Sequence, residues 1–288
     1  MGRGDSPPTV LVATTSTPHA SLGFHQSFEG ELDRKFLKRR SVPALRRVTG
    51  GGLTWHDRSQ VFYQAIFPLG GEMPAGPGAF RSFLAPALRM LRRLGIRATL
   101  RAPADLVVHH RKISGNAGGE WEGCGILQGD ILGQLDVASM AGILRSPHPA
   151  FRHLLEQEME EALTSVAAES RAVPSAVLRR GMAREFLLDR LFRARVGVAS
   201  SSELREFRHR VRPRHRSNGW LRSSPPTALA DPLFRKVRVA GERFVEASED
   251  PECPGAVLLR VRDLGRELLS YRAPPVGEYR GLSDLRRR

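Results

Sequence analysis

The sequence predicts an α+β (mixed α/β) protein, with a main domain of mixed β-sheets packed by helices and a small C-terminal α+β accessory domain. Short runs of β-branched and apolar residues interleave with longer amphipathic stretches, as strands and helices do in such a domain. A length of 288 residues suffices for one large core and one smaller one. The composition shifts at residue 200. We therefore expect a disordered lead over residues 1–8, a main domain over 9–199, and a linker with the accessory domain over 200–288.

In the main domain, strands are predicted where apolar and β-branched residues run between turn residues. They cover residues 10–13, 60–67, 96–100, 106–109 and 124–132. The clearest helix is predicted over residues 78–94, because apolar residues recur there at helical spacing and Gly95 follows as a terminator. Pro86 lies inside this stretch, so we expect a kink or a later start. Other helices are predicted over residues 31–40, 136–144, 151–168 and 182–192.

Beyond residue 200, a helix is predicted over residues 201–211, and an arginine-rich segment follows over 212–222. The small accessory unit is predicted from four short strands, over residues 236–239, 243–247, 256–261 and 267–271. The last residues, 285–288, are expected to be frayed.

The chain is strongly basic, with 45 Lys plus Arg against 30 Asp plus Glu and a formal net charge of +15. Such an excess attracts acidic partners, and nucleic acid is the first candidate to consider. The aromatic share of 7% offers no evident stacking platform of the kind that single-strand binders use. A solvated basic surface explains the charge equally well, so we do not expect nucleic acid as a partner.

The chain contains no run near the roughly 18 apolar residues that crossing a bilayer needs, and its N-terminus lacks the apolar centre of a secretory signal. We therefore expect no membrane partner and a cytoplasmic location. The two cysteines, Cys124 and Cys253, are far apart and have no Cys or His at ligand spacing. This pattern predicts neither a disulfide framework nor a zinc site, and it marks no residue as a metal ligand.

The most informative stretch is the glycine run Gly50-Gly51-Gly52, which follows Arg46 and Arg47. Glycines carry no Cβ and tolerate left-handed backbone angles, so their amides can curl around an anion. A guanidinium is a fork of donors for carboxylate or phosphate, and an ammonium group is a compact charge. The run has neither the P-loop nor the dinucleotide spacing. With Lys112 downstream, it predicts a pocket that holds a carboxylate and a phosphate side by side.

Three segments carry a family resemblance. Residues 46–57, RRVTGGGLTWHD, resemble the Arg-Arg-x-Ser/Thr-Gly-Gly-Gly-x-x-x-His-Asp signature of the lipoate-protein ligase A family, within the biotin/lipoate protein ligase superfamily. Residues 111–117, RKISGNA, resemble its Arg-Lys-Val/Ile-Ser/Ala-Gly-Ser-Ala signature. Residues 21–26 are similar to the Ser-Leu-Gly-x-x-Gln segment that precedes the glycine loop. The resemblance covers about residues 10–144 and implies a biotin/lipoate ligase-like catalytic domain.

Lipoate ligases join lipoate to AMP, using ATP and Mg²⁺, and then pass the lipoyl group to a lysine of a lipoyl domain. The resemblance therefore implies that Lys112 is catalytic and meets both ligands, and that Asp105 contacts the metal or the adenylate. It implies lipoate or octanoate as the acyl substrate. The positions implied around the nucleotide are Arg47, Gly50, Gly51, Gly52, Leu53, Thr54, Trp55 and His56.

The implied partner is a lipoyl domain or a glycine-cleavage H-type carrier protein, and the chain is expected to act as a monomer or with a partner subunit. In this light, residues 212–222 are interpreted as a solvated linker rather than as a contact for nucleic acid or a lipoyl domain. Several features depart from the family. The chain begins almost at its first strand, Gln128-Gly129-Asp130 stands where the family has His-Gly-Thr, and Ala104 replaces an asparagine. These departures leave the nucleotide geometry and the acyl group open.

The sequence leaves two other functions open. One is an octanoyl or lipoyl transferase that works without ATP, whose relatives use a cysteine nucleophile. Residues 99–101 offer no cysteine and Cys124 lies beyond the lysine motif, so the ligase is favoured. The other is a non-catalytic basic protein that binds nucleic acid or an acidic carrier domain on the same fold.

Overall fold

The computed structural model describes residues 6–70, 77–223 and 235–287. The chain forms two compact units, each assembled from three segments that are separate in sequence. The first takes Met1–Phe28, Val42–Leu135 and Thr164–Ser224, and the second takes Glu29–Ser41, Asp136–Leu163 and Pro225–Arg288. The domain boundary predicted near residue 200 stays a prediction. Of the predicted lead, residues 1–5 lie outside the described residues.

The described strands are β1 Thr9–Ala13, β2 His19–Leu22, β3 Ala44–Arg46, β4 Thr54–His56, β5 Val61–Pro68, β6 Thr99–Arg101, β7 Asp105–Val108, β8 Arg111–Ser114, β9 Asn116–Trp121, β10 Cys124–Ile131, β11 Arg235–Ala240, β12 Arg243–Glu249, β13 Val257–Asp263, β14 Arg266–Ala273 and β15 Arg286–Arg287. The described α-helices are α1 Phe28–Glu31, α2 Arg34–Arg40, α3 Pro77–Arg93, α4 Val137–Gly142, α5 Pro149–Ala162, α6 Val166–Glu169, α7 Ser175–Leu187, α8 Ser201–Glu206, α9 Arg212–Arg216 and α10 Asn218–Arg222. Phe207–Val211 is π-helical, and Leu282–Asp284 is a 3₁₀ turn. None of the described helices has both the length and the hydropathy that a bilayer-spanning segment needs.

The predicted α+β class is confirmed, and so are most of the strongly patterned elements. The predicted helix over residues 78–94 is α3, with Pro86 inside it. The strands predicted over residues 60–67, 106–109 and 124–132 are β5, β7 and β10, within one residue at each end. The four strands predicted in the accessory unit are β11 to β14.

Five predictions were wrong in detail. The strand predicted over residues 96–100 covers only Thr99–Arg101, and the helix predicted over residues 31–40 is the helix Arg34–Arg40 after a separate short helix, Phe28–Glu31. The helix predicted over residues 151–168 is two helices, because Leu163 is extended and the Ser165 side chain caps α6 by accepting from the Ala168 amide. The helix predicted over residues 182–192 begins earlier, at Ser175, and ends at Leu187. In the tail that is predicted to be frayed, Arg286–Arg287 pairs with β14.

Three sheets build the first unit. The main sheet has the order β1-β5-β10-β9 and is antiparallel throughout. In the second sheet, β2 lies between β3, which is parallel to it, and β4, which is antiparallel. The third sheet, β6-β7-β8, is antiparallel. Tyr63 of β5, Phe83 of α3 and Phe186 of α7 form a fully buried aromatic core, with ring centroids 5.2 to 6.3 Å apart.

The second unit is a five-stranded antiparallel sheet of order β11-β12-β13-β14-β15, with α5 packed on β11 and β12. Glu158 of α5 is buried and pairs with Arg243 of β12. The same guanidinium lies 2.7 Å from Glu161. A buried carboxylate needs such a partner, because an unpaired charge inside a protein is costly.

Candidate active site

The glycine loop is held in shape by Arg47. Its Nη2 donates to the carbonyls of Gly50 at 2.9 Å and Gly52 at 2.6 Å. Its Nε also donates to the Gly50 carbonyl, at 3.2 Å, and its Nη1 donates to the carbonyl of Ser21 in β2, at 2.7 Å. Three glycines in a row have no preferred conformation of their own. The charge-assisted hydrogen bonds from Arg47 hold the loop in a single conformation.

The same bonds decide where the loop amides point. In a trans peptide the C=O and N–H groups lie on opposite sides. Because the carbonyls of Gly50 and Gly52 face Arg47, the N–H groups of Gly51 and Leu53 face away from it. Among the described residues neither amide has a hydrogen-bond acceptor, whereas the Gly50 amide donates to the carbonyl of Gly118 at 3.3 Å. The loop therefore presents two amide donors, as anion-binding backbone nests do.

Gly23 allows β2 and the glycine loop to touch. A Cβ on Gly23 would stand 2.0 Å from the carbonyl oxygen of Gly51, so only glycine fits there. Gly51 itself has φ +90°, in the region that side chains other than glycine rarely adopt. The segment over residues 21–26 thus packs directly against the loop.

Lys112 lies on β8 beside a β-bulge. Leu106 pairs with Ser114 and Val107 with Lys112, so Ile113 is the extra residue, and it is fully buried. Bulges re-aim the side chains around them. The Lys112 ammonium is 2.8 Å from Asp105 Oδ1, and its side chain is only 23% exposed. The chain has four lysines in all, and Lys112 is the one within residues 42–135.

Asp130 of β10 lies between the lysine segment and the loop. Its Oδ1 accepts from the Gly115 amide at 2.9 Å. The Lys112 ammonium and this oxygen both lie 3.4 Å from where a Cβ on Gly115 would stand. Burial raises the pKa of Asp130 to about 6, against the Gly115 hydrogen bond and the charges of Lys112 and Arg47, which lower it. Both predicted cations therefore act on one carboxylate.

Direct contacts also join the two motifs. Besides the bond from Gly50 to Gly118, a Cβ on Gly51 would lie 3.6 Å from the Ala117 side chain. The structure therefore brings Arg47, the glycine run, Asp105 and Lys112 together.

A buried polar network lies next to the lysine segment. Tyr63 donates to Asn116 Oδ1 at 2.8 Å and lies 3.1 Å from Ser114 Oγ. Asn116 in turn donates to the carbonyl of Ala104 at 2.6 Å. A Cβ on Gly129 would stand 1.8 Å from Asn116 Oδ1, so glycine is required there. The network joins β5, β8 and β9 close to Lys112, and Gly129 leaves space for it on the β10 side.

Trp55 and His56 are neighbours on β4, where Trp55 is buried and His56 is half-buried. His56 Nδ1 is 3.2 Å from His19 Nε2, and its Nε2 is 3.0 Å from Thr54 Oγ1. Burial, with the charges of His19 and Arg47, lowers the pKa of His56 to about 3, so this imidazole is neutral at physiological pH. The Trp55 indole is 7% exposed and donates to Asp57 at 3.2 Å. The nucleotide contacts predicted for Leu53, Thr54, Trp55 and His56 stay predictions.

Two roles do not follow from the sequence pattern. There Asp130 is only an acid where the family has threonine, and the sequence does not show that it lies beside Lys112 and Arg47. The pattern also predicts that Arg46 helps to bind the anion. Arg46 is 2% exposed and donates to the carbonyls of Gly23 and Phe24, both at 2.9 Å.

No group of three or more His, Cys, Asp or Glu in the described part of the chain is placed to hold a metal ion. The two carboxylates beside Lys112 already serve other partners. Asp105 pairs with Lys112 and Arg101, and Asp130 accepts from Gly115. The contact predicted between Asp105 and the metal or the adenylate stays a prediction.

The cysteines lie elsewhere in the fold. Cys124, the only cysteine of the first unit, is 5% exposed and opens β10. It is six residues from Asp130 on the same strand, or about 20 Å at the rise of a β-strand. Cys253 belongs to the second unit.

The chain is similar to known proteins. The lipoyl protein ligase A/B catalytic domain family matches residues 1–187. The octanoyltransferase LipM of Kyrpidia tusciae is 29% identical over 190 residues, 57% of this chain and 68% of that protein. The lipoate-protein ligase LplJ of Bacillus subtilis is 31% identical over 107 residues, 37% of this chain and 31% of that protein.

Solved structures confirm the predicted fold. A bi-partite lipoate protein ligase from Thermoplasma acidophilum, analysed with its E2 lipoyl domain, superposes with a TM-score of 0.69 at 20% identity, covering 78% of this chain and 88% of that one. A lipoate-protein ligase A bound with ATP superposes with a TM-score of 0.61 at 20% identity, covering 76% and 86%.

The charge environment of Asp130 is testable by titration. We expect its carboxyl to titrate near pH 6 by carbon NMR, and to titrate higher in Lys112→Ala, which loses a favourable charge. Lys112→Arg, which keeps the charge, should stay close to the wild type. Because the folded pKa lies above the unfolded value, Asp130 weakens the fold as the pH rises from about 4 to about 6. The free energy of unfolding of Asp130→Asn relative to the wild type should therefore rise over that interval. A carboxyl that titrates near pH 4 would contradict this placement.

Proposed function

We propose, from the premise that the chain belongs to the lipoyl protein ligase A/B catalytic domain family, that it is an ATP-dependent lipoate-protein ligase. It activates lipoate or octanoate as the acyl-adenylate and passes the acyl group to a lysine of a carrier domain. The carrier is a lipoyl domain or an H-type carrier protein, and the reaction takes place in the cytoplasm.

The first step joins two anions that repel each other. The carboxylate oxygen attacks the α-phosphorus of ATP, and the bond to pyrophosphate breaks as pyrophosphate leaves. The amides of Gly51 and Leu53 are the donors on the phosphate side, and the Lys112 ammonium offsets the charge where the two anions meet. Groups fixed in advance where charge develops lower a barrier most, because they need no reorganisation during the reaction. Arg47 holds the loop amides in position, and Asp105 holds the Lys112 ammonium in position.

The second step releases AMP. The neutral amine of the acceptor lysine attacks the acyl carbon, the bond from that carbon to the phosphate oxygen breaks, and the proton that the amine loses passes to solvent. AMP is a good leaving group, so this step needs no acyl-cysteine intermediate. Mg²⁺ enters the proposal only as the companion of ATP phosphates, where this ion normally takes most of its ligands from phosphate and water.

One observation carries the choice of a ligase: a loop with outward amides and the lone lysine of residues 42–135 stand together, while Cys124 is buried on β10, about 20 Å along that strand from Asp130. The second candidate is an octanoyltransferase, which the similarity to LipM favours. A transferase of the kind that uses a cysteine would need that thiol at the acyl carbon.

Two parallel assays separate the candidates. In the first, the chain is mixed with ATP, Mg²⁺, lipoate or octanoate, and an apo lipoyl domain. We expect the domain to gain the mass of one acyl group, with one pyrophosphate released. In the second, an octanoylated carrier protein replaces ATP and the free acid, and we expect no transfer. Transfer in the second assay alone would establish the octanoyltransferase instead, and acylation in neither assay would refute both enzymes.

Lys112 provides the sharpest substitution. Lys112→Ala should lower the rate of acyl-adenylate formation by about 10²-fold or more, the usual cost of losing one group that stabilises developing charge. Cys124→Ala is the matched control from the same unit and should stay within about twofold of the wild-type rate, since the transfer passes through no thiol. Thermal melting of both variants checks the fold. Full adenylation by folded Lys112→Ala would remove the lysine from the mechanism.

A further inference from the structure

The helical segment over residues 201–216, which we call the basic helix, lies almost entirely on the surface. It comprises α8, the π-helical turn and α9, and it begins with a capping box between Ser200 and Glu203. Of its residues only Glu203 and His215 are not exposed. Isolated helices of this length are marginal in water, and most helices are stabilised by burying one face. The basic helix buries almost none.

One face of the basic helix is nevertheless apolar. Leu204, Phe207 and Val211 recur at steps of three and four residues, which places them on one face. Their side chains are 42%, 51% and 43% exposed. Large apolar side chains grouped on a protein surface mark a place where another molecule binds.

Charge surrounds this apolar stripe. The basic helix contains six arginines and two glutamates. Two of the arginines form weak surface pairs, Arg210 with Glu206 at 3.3 Å and Arg214 with Glu122 at 3.4 Å. The other four make no ion pair with any described residue, and they are Arg205, Arg208, Arg212 and Arg216. At four-residue spacing Arg208 and Arg212 form a row beside the stripe.

The C-terminal end of the basic helix is linked to Arg46, the last residue of β3, four residues before the glycine run. His215 packs on Trp220 of α10, with ring centroids 5.0 Å apart. The indole N–H of Trp220 donates to the carbonyl of Arg46 at 3.0 Å, and the Arg46 guanidinium donates back to the Trp220 and Leu221 carbonyls. Arg46 directly precedes Arg47 and also donates to the carbonyl of Gly23, the residue that touches Gly51. A protein bound along the basic helix would therefore lie beside the loop.

We infer that the basic helix is the docking surface for the acyl-accepting carrier domain, through an acidic patch with an apolar centre on that domain. This inference replaces the interpretation of residues 212–222 as a solvated linker, since they form the helices Arg212–Arg216 and Asn218–Arg222. The inference rests on the proposed function. Electrostatic complementarity of this kind raises association rates and fixes the orientation of the partner. The apolar stripe supplies the surface that is buried when the partner binds. The link through Arg46 favours a substrate protein, because the reaction at the loop requires a macromolecular acceptor to come close.

A nucleic-acid partner fits this surface less well. Single-strand binders stack successive bases on exposed aromatic faces. The tryptophans at the end of the helix pack on each other, with Trp121 and Trp220 centroids 5.6 Å apart and Arg214 over the Trp121 ring. Phe207 is the single phenylalanine of the basic helix, which contains no tyrosine or tryptophan.

The test reverses the charge of two arginines of the basic helix in the full-length protein. Arg208→Glu with Arg212→Glu should raise the KM for an apo lipoyl domain of net negative charge by about tenfold or more, and lower its association rate, most clearly at low salt. Phe207→Ala should raise the same KM without altering the salt dependence. The matched control is Arg179→Glu with Arg180→Glu, two exposed arginines of α7 that change the net charge equally. This control should keep the wild-type KM.

Carrier-free ATP–pyrophosphate exchange separates this inference from the proposed function. If the wild type exchanges pyrophosphate and the helix variant keeps the wild-type KM for the lipoyl domain, the docking surface is wrong and the ligase stands. If the wild type does not exchange, the proposed function itself fails. If the variant loses binding to a single-stranded oligonucleotide while its KM for the lipoyl domain is unchanged, the basic helix binds nucleic acid and the inference is overturned.

Discussion

The site depends on one guanidinium. Arg47 places a positive charge inside the bend of the glycine run and draws the carbonyls of Gly50 and Gly52 toward itself. Burial lowers its pKa to about 10, so it stays charged at neutral pH. Without it, three glycines would sample many conformations, and fixing even one residue costs about 1–2 kcal/mol of backbone entropy. The arginine thus orients amides that an anion can use, without itself having to touch that anion.

The carboxylates around Lys112 position its ammonium group, as Arg47 positions the loop. Asp105 pairs with the ammonium at 2.8 Å, and Asp130 lies close to it while accepting from the Gly115 amide. Two basic groups without such acids would repel each other across the loop. With them, the lysine has a fixed position before any ligand arrives. The burial that raises the pKa of Asp130 to about 6 also makes this balance sensitive to pH near neutrality.

Much of the fold and part of the site could be predicted from the sequence, for identifiable reasons. The helix over residues 78–94 and the strand over 60–67 have enough residues for their periodicity to be visible, and both are present. β4 and β8 have three and four residues, too few to show a period, although they hold Trp55 and Lys112. The two signatures indicated that the loop and the lysine share a site. They could not show that Arg47 binds carbonyls, because a hydrogen-bond donor fits an internal oxygen and a ligand oxygen alike.

The central claim is that the Gly51 and Leu53 amides are free to receive a phosphate because Arg47 holds their neighbours. Amide NMR of the ¹⁵N-labelled chain during a titration with AMP tests it most directly. We expect the resonances of Gly51 and Leu53 to move most within the loop, and that of Gly50, whose amide already donates to Gly118, to move least. Resonances of Gly51 and Leu53 that stay in place while AMP binds elsewhere would contradict the account.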